Sequence, residues 1–194
     1  MSGACTDSEL LDRAEEGDDS AFQLLYQRHR DGIFRFAYRL LGSAELAEDV
    51  THDCFLSLLN RPGRFDSERA SLRTYLYAAA RNLVWKTCRS RARDSQIPID
   101  DLEDDLRCAA LELPLQGLLE EELVSVVRTA IAGLESLQRE ALVLFEYEEM
   151  SLAEIAAIVG TDPGTVKSRL QRARERLRKT LRPYLDTGSR CVNT

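Results

Sequence analysis

An all-α fold, built as two small helical domains joined by a flexible acidic linker, is what this sequence predicts, and three observations carry it. Apolar residues recur at three- and four-residue spacing in nearly every ordered stretch, with no convincing alternating strand or hairpin signal. Helix-stopping and helix-starting residues stand between those stretches. The charge is also partitioned: residues 61–93 hold nine Lys/Arg against two acids, 163–183 hold eight against one, and 94–122 hold ten acids against one Arg. The net charge of −7 therefore conceals two basic surfaces, and local rather than mean potential decides whether a surface suits nucleic acid.

Taken in order, a short helix near Ser8 to Glu16 precedes a long one from Asp19 to Leu41, with Phe22, Leu25, Tyr26, His29, Ile33, Ala37 and Leu40 along one face. Gly42-Ser43 ends it and caps a helix from Ala44 to Asn60, which Arg61-Pro62-Gly63 breaks. A third long helix runs from Ala70 to Arg91, completing a first domain over 1–92. The linker, 93–116, contains Pro98, Pro114 and most of the acids. The second domain, 117–185, begins with a helix marked by Leu118, Leu119, Leu123, Val126, Val127, Ile131 and Leu134, then one over Ala141 to Phe145. Ser151-Leu152-Ala153-Glu154 reads as a capping box. The short helix it opens closes at Gly160, Asp162 can cap the next, and Pro163 suits a first helical position. That last helix should run to Leu181 and stop at Pro183, leaving a tail over 186–194.

Several function classes are excluded early. No apolar run approaches the ~20 residues that span a bilayer, and Met1 to Leu11 lacks a secretory core, so a cytoplasmic protein without membrane insertion is expected. Cys5, Cys54, Cys88, Cys108 and Cys191 are odd in number and form no Cys-x-x-Cys pair, which argues against a disulfide framework. His52-Asp53-Cys54 has no matching ligand pair elsewhere, so no metal and no cofactor are assigned. His29 and His52 lack a nucleophile or ligand partner in the sequence, so no catalytic residue is assigned and no enzyme is expected.

Three candidate surfaces remain. Two helices joined by a short glycine-containing turn form a helix-turn-helix, whose second helix enters the major groove. At about 100° per residue, Val166, Leu170, Ala173, Leu177 and Leu181 share one apolar stripe. Lys167, Ser168, Gln171, Arg172, Glu175 and Lys179 oppose it, and Arg169, Arg174 and Arg176 flank it. The helix from Ala70 to Arg91 buries Leu72, Leu76, Ala79, Ala80, Leu83 and Thr87. It presents Thr74, Tyr77, Arg81, Asn82, Trp85 and Arg89, a mixture of aromatics and cations suited to single strands. Packing of Tyr77 and Trp85 against a neighbouring helix is the commoner use of such residues. The polar loop from Arg64 to Arg69 ahead of it could receive a flipped base. On the helix from Ala44 to Asn60, Phe55, Leu56 and Leu59 lie off the core stripe beside Glu48, Asp49 and His52, a mixed face suited to a protein partner, with completion of a wide core the alternative use of Phe55.

Together these motifs resemble the sigma-70 family in its minimal, extracytoplasmic-function form. Ala47-Glu48-Asp49-Val50-Thr51-His52-Asp53-Cys54-Phe55 is similar to region 2.2; Leu72-Arg73-Thr74-Tyr75-Leu76-Tyr77 with Ala80-Arg81-Asn82-Leu83 is similar to regions 2.3 and 2.4. Glu154-Ile155-Ala156, Gly164-Thr165-Val166-Lys167-Ser168-Arg169-Leu170 and Arg172-Ala173-Arg174 resemble region 4.2. His52 stands where the family commonly has Gln, and Tyr75 where it commonly has Trp. The resemblance implies a transcription initiation factor that binds core RNA polymerase at the beta-prime clamp helices and beta flap, recognises promoter DNA as duplex and single strand, and is held by an anti-sigma factor, often in stress responses.

It assigns core binding to Glu48, Asp49, His52, Phe55, Leu56 and Leu59. It assigns −10 binding to Arg64, Phe65, Arg69, Arg73, Thr74, Tyr77, Arg81, Asn82, Trp85 and Arg89. The −35 reader would be Thr165, Lys167, Ser168, Arg169, Gln171, Arg172, Arg174 and Arg176. The rival reading is a helix-turn-helix activator or repressor acting on duplex DNA, which would account for the C-terminal half alone.

Overall fold

The computed structural model describes residues 5–60, 65–94 and 120–188, and among these it contains helices and no strand. Helix α1 spans Asp7–Glu15, α2 Asp19–Leu41, α3 Ala44–Leu59 and α4 Leu72–Asp94. The second group comprises α5 Glu120–Ala132, α6 Ser136–Leu142, a π-helical turn Val143–Tyr147, α7 Leu152–Val159 and α8 Pro163–Gly188. The linker predicted over 93–116, Arg64 of the polar loop, and Leu118 and Leu119 of the leucine-rich stretch lie, apart from 93 and 94, outside the described residues. No described helix is long and apolar enough to cross a membrane.

Local chemistry sets the helix ends. Asp18 caps α2 by accepting from the amides of Ser20 and Ala21 at 3.0 and 3.2 Å. Gly42 ends the helix at φ 71°, the left-handed conformation that costs glycine little. Thr6 and Glu9 form a reciprocal capping box on α1, which sequence inspection overlooked. The first domain then closes around Leu25, Ile33, Phe36, Leu40, Cys54, Phe55, Leu76 and Ala80, all within 5% of complete burial. His29, placed on the core stripe by periodicity, instead bonds Asp7 at 2.8 Å and ties α1 to α2.

Two boundaries differ from expectation. Helix α8 passes through Pro183 to Gly188 rather than stopping there. Proline withholds only the one amide owed to the carbonyl four residues earlier, so it can bend an exposed helix without ending it. The stretch Ala141 to Phe145 is not a helix of its own. It joins α6 to the π-helical turn, which places one extra residue per turn just before α7.

Candidate nucleic-acid and polymerase interfaces

The C-terminal reader is built by three caps in succession. Ser151 accepts from the Glu154 amide at 3.2 Å while Glu154 accepts from the Ser151 amide at 2.9 Å. Gly160 ends α7 at φ 69° with nothing within 4 Å of a would-be Cβ, so conformation rather than space requires glycine there. Asp162 accepts from the Thr165 amide at 3.0 Å and from its hydroxyl at 2.5 Å, and these bonds hold its carboxyl below the usual range. The turn is thereby rigid, and α8 leaves it with Val166, Leu170 and Ala173 buried against α6 and α7.

Lys167, Ser168, Gln171 and Arg172 are exposed on the opposite side of α8. Lys167 and Arg172 have no side-chain partner among the described residues, so both are free for a ligand. Thr165 is committed to the cap, and Arg169 is half-buried. Arg174 is tied to Glu146 at 2.7 Å and stacks over Phe145, and Arg176 approaches Glu135 at 3.5 Å. Both are exposed pairs of the kind that contribute little and exchange easily.

On α3, Glu48, Asp49, His52 and Leu56 are exposed and Leu59 is half-buried, forming one mixed edge. Phe55 takes the wide-core alternative rather than a place on the partner face: it is 2% exposed, with its ring 4.8 Å from Tyr26 and 6.4 Å from Phe22 in edge-on contacts. The apolar sector of α3 is wider than its Leu46-Val50-Cys54-Leu58 stripe because α2 covers it from the side. Phe55 is therefore a core residue and not an open contact.

The strand-capture residues of α4 and the loop before it divide in two. Arg69, Asn82 and Arg89 are exposed, and Phe65 rests on Tyr75 with ring centres 5.6 Å apart. Thr74 and Arg81, expected on the outer face, are buried and half-buried, Arg73 is half-buried, and Tyr77 and Trp85 take the commoner use of such aromatics, packing where α4 meets α7 and its neighbours. Tyr77 donates to Glu148 Oε2 at 2.5 Å, and burial together with that bond raises its hydroxyl above the usual range. Arg73 donates to the Glu148 carbonyl, and Arg39 reaches Glu148 Oε1 at 3.2 Å. Arg81 Nε and Trp85 Nε1 share Glu140 Oε1 at 2.6 and 3.1 Å. The buried stripe accordingly runs through Leu72, Leu76, Ala80, Val84, Cys88 and Ala92, with Ala79, Leu83 and Thr87 only partly covered.

Neither Glu140 nor Glu148 was singled out from the sequence. A Glu-rich stretch gives no sign of which acids turn inward, and among the described residues no cluster of His, Cys, Asp and Glu could hold a metal.

Comparison with known proteins accounts for both bundles. The family model for sigma-70 region 2 matches residues 25–94, and that for sigma-70, region 4 matches 125–177. The RNA polymerase sigma-H factor of Pseudomonas aeruginosa is 32% identical over 185 residues, covering 92% of this chain and 95% of that protein. The ECF RNA polymerase sigma-E factor of Escherichia coli is 31% identical over 191 residues, covering 95% and 99%. Among solved structures, the sigma factor RpoE in complex with the anti-sigma factor NepR from Bartonella quintana aligns with TM-score 0.67 at 28% identity, over 83% of this chain and 96% of that one. CnrH in complex with the cytosolic domain of CnrY shares the fold, at TM-score 0.67 and 24% identity over 91% and 97%. Matches running through both halves disfavour a helix-turn-helix regulator with an unrelated partner domain. The chain belongs to the extracytoplasmic-function group of the sigma-70 family and is an RNA polymerase sigma factor acting in promoter-specific transcription initiation.

Proposed function

We propose that three surfaces divide the work of this sigma factor. The exposed edge of α3, Glu48, Asp49, His52, Leu56 and Leu59, docks on the polymerase clamp helices, while the C-terminal domain meets the beta flap. Lys167, Ser168, Gln171 and Arg172 read the −35 duplex from the major groove, with Thr165 setting the helix start and Arg169, Arg174 and Arg176 flanking toward phosphates. Arg64, Phe65, Arg69, Arg73, Thr74, Tyr77, Arg81, Asn82, Trp85 and Arg89 capture the unstacked −10 strand. Opening costs about 1.4 kcal/mol per stacked step, which stacking on rings and contacts to arginine must return. The chain performs no bond chemistry and works in the cytoplasm beside the polymerase. A further partner is an anti-sigma protein, as in the complex of RpoE with NepR.

The observation that carries this reading is the capped helix-turn-helix whose Lys167 and Arg172 have no side-chain partner among the described residues, in one chain with a region 2 bundle. Purified protein added to sigma-free core polymerase on genomic template should yield discrete transcript 5′ ends sharing −35 and −10 elements. Initiation no different from core alone, where a housekeeping sigma factor succeeds, would refute it.

A further inference from the structure

We propose that the chain carries a small-ligand site that promoter recognition does not use. It is a cleft where α2 meets α5 and the π-helical turn, and it takes a nucleoside monophosphate, with the phosphate on Arg35 and Arg128 and the base on Tyr147 and Tyr38.

Three elements build the lining. Arg35, Tyr38 and Arg39 are spaced three and four residues apart on α2 and so share one face. Arg128 and Ile131 share a face of α5 in the same way, and Tyr147 ends the π-helical turn. These six residues, with no acid among them, surround a cleft of about 190 Å³. Pockets for drug-sized molecules run to roughly 300–1,000 Å³, so this smaller space suits a phosphate with one ring system rather than a longer ligand.

Charge selects an anion. Arg39 is already neutralised by Glu148 Oε1 at 3.2 Å. Arg35 and Arg128 are exposed and make no hydrogen bond or ion pair among the described residues. Two such guanidiniums at one cleft repel each other until an anion enters between them. A phosphate monoester carries a charge of about −1.5 to −2 at neutral pH and three strong acceptor oxygens, enough for both. A carboxylate would balance only one.

The rings make the anion a nucleotide. Tyr147 is held by the Arg39 guanidinium 4.2 Å from its ring centre, yet stays 42% exposed. Tyr38 is fixed by stacking on Phe34, with ring centres 6.0 Å apart and planes 9° from parallel. Ile131, almost fully buried, supplies an apolar floor. Every base has a face that stacks on such rings, so the site selects the class of ligand and not the base. None of the six residues belongs to the surfaces assigned above to polymerase or promoter.

Calorimetric titration of the full-length protein with adenosine 5′-monophosphate tests the site, with inorganic phosphate and adenosine as the two fragments. The nucleotide should bind at least tenfold more tightly than either fragment. Arg35→Ala and Arg128→Ala, on opposite sides of the cleft, should each weaken it about tenfold, and Tyr147→Ala by a similar factor. Both arginines are exposed, so their loss leaves the fold intact. The nucleotide should also raise the thermal midpoint of the parent protein and not that of Arg35→Ala/Arg128→Ala, because a ligand stabilises only a fold that binds it. Neither heat nor a midpoint shift would overturn the proposal. So would phosphate binding as tightly as the nucleotide, or full affinity in either arginine variant. Displacement of the nucleotide by an oligothymidylate strand would overturn it too, marking the cleft as a path for single-stranded DNA. These measurements use the free chain, so their failure and a failure to initiate on core polymerase are separate results.

Discussion

Helices α4 and α8 each lie in a basic stretch with seven more cations than acids, yet the chain treats them differently. On α8, Lys167 and Arg172 face outward without side-chain partners among the described residues. On α4, Arg73, Tyr77, Arg81 and Trp85 are engaged by the other domain. The difference lies in what each opposite face must do. Helix α8 has one apolar stripe, satisfied by its own small domain. Helix α4 packs on α2 and α3 with one face and still carries aromatics on the other, so a second apolar neighbour can settle there. Charge count alone does not make a surface available.

The comparison extends to α3, where Phe55 is covered and Leu56 open. Phe55→Ala should destabilise the protein by about 3–5 kcal/mol through the cavity it leaves, read by urea unfolding. Leu56→Ala should stay within about 0.5 kcal/mol of the parent, as surface substitutions do, yet weaken binding to core polymerase. Equal stability losses at the two positions would dissolve the distinction.

For α8, Arg172→Ala should cost about 1–3 kcal/mol of binding to the −35 duplex, with specificity relaxed at one position. Arg174→Ala, already paired with Glu146, should cost less. A larger loss at Arg174 in titrations with duplex of the mapped promoter would mean that its pair exchanges for phosphate.

The turn that aims α8 can be tested next. Gly160→Ala should cost about 1–2 kcal/mol, the penalty for a Cβ in left-handed backbone. Thermal unfolding would show it, and no loss would mean that the turn is not held at φ 69° in solution.

The smallest effect is at the caps. Ser151→Ala should lower stability by about 1 kcal/mol. Hydrogen bonds hold the carboxyls of Glu9, Asp18, Glu154 and Asp162 below their usual range. Their stabilisation is complete above the ordinary carboxylate range, begins to fall as pH enters it, and is gone only below their lowered native values. Unfolding midpoints should therefore drop below about pH 4, a range set by unfolded carboxylates, and Asp162→Asn should flatten part of that drop.

Much of this molecule was legible in the chain because the deciding interactions are local. The bounds of α2, the capping box at Ser151, the Gly160 stop and the Asp162 cap each depend on residues within one turn. The apolar stripe of α8 follows from periodicity alone. The pairing of region 2 and region 4 motifs made the family legible as well. What required the tertiary structure were interactions across tens of residues: Phe55 drawn into the core by α2, His29 turned to Asp7, and Tyr77 and Trp85 given to Glu148 and Glu140. A helical sequence states which residues share a face, but a face becomes core, contact or open surface only when a second element arrives. On α4 that element comes from the other domain, and the availability of its cations is a property of the assembled fold.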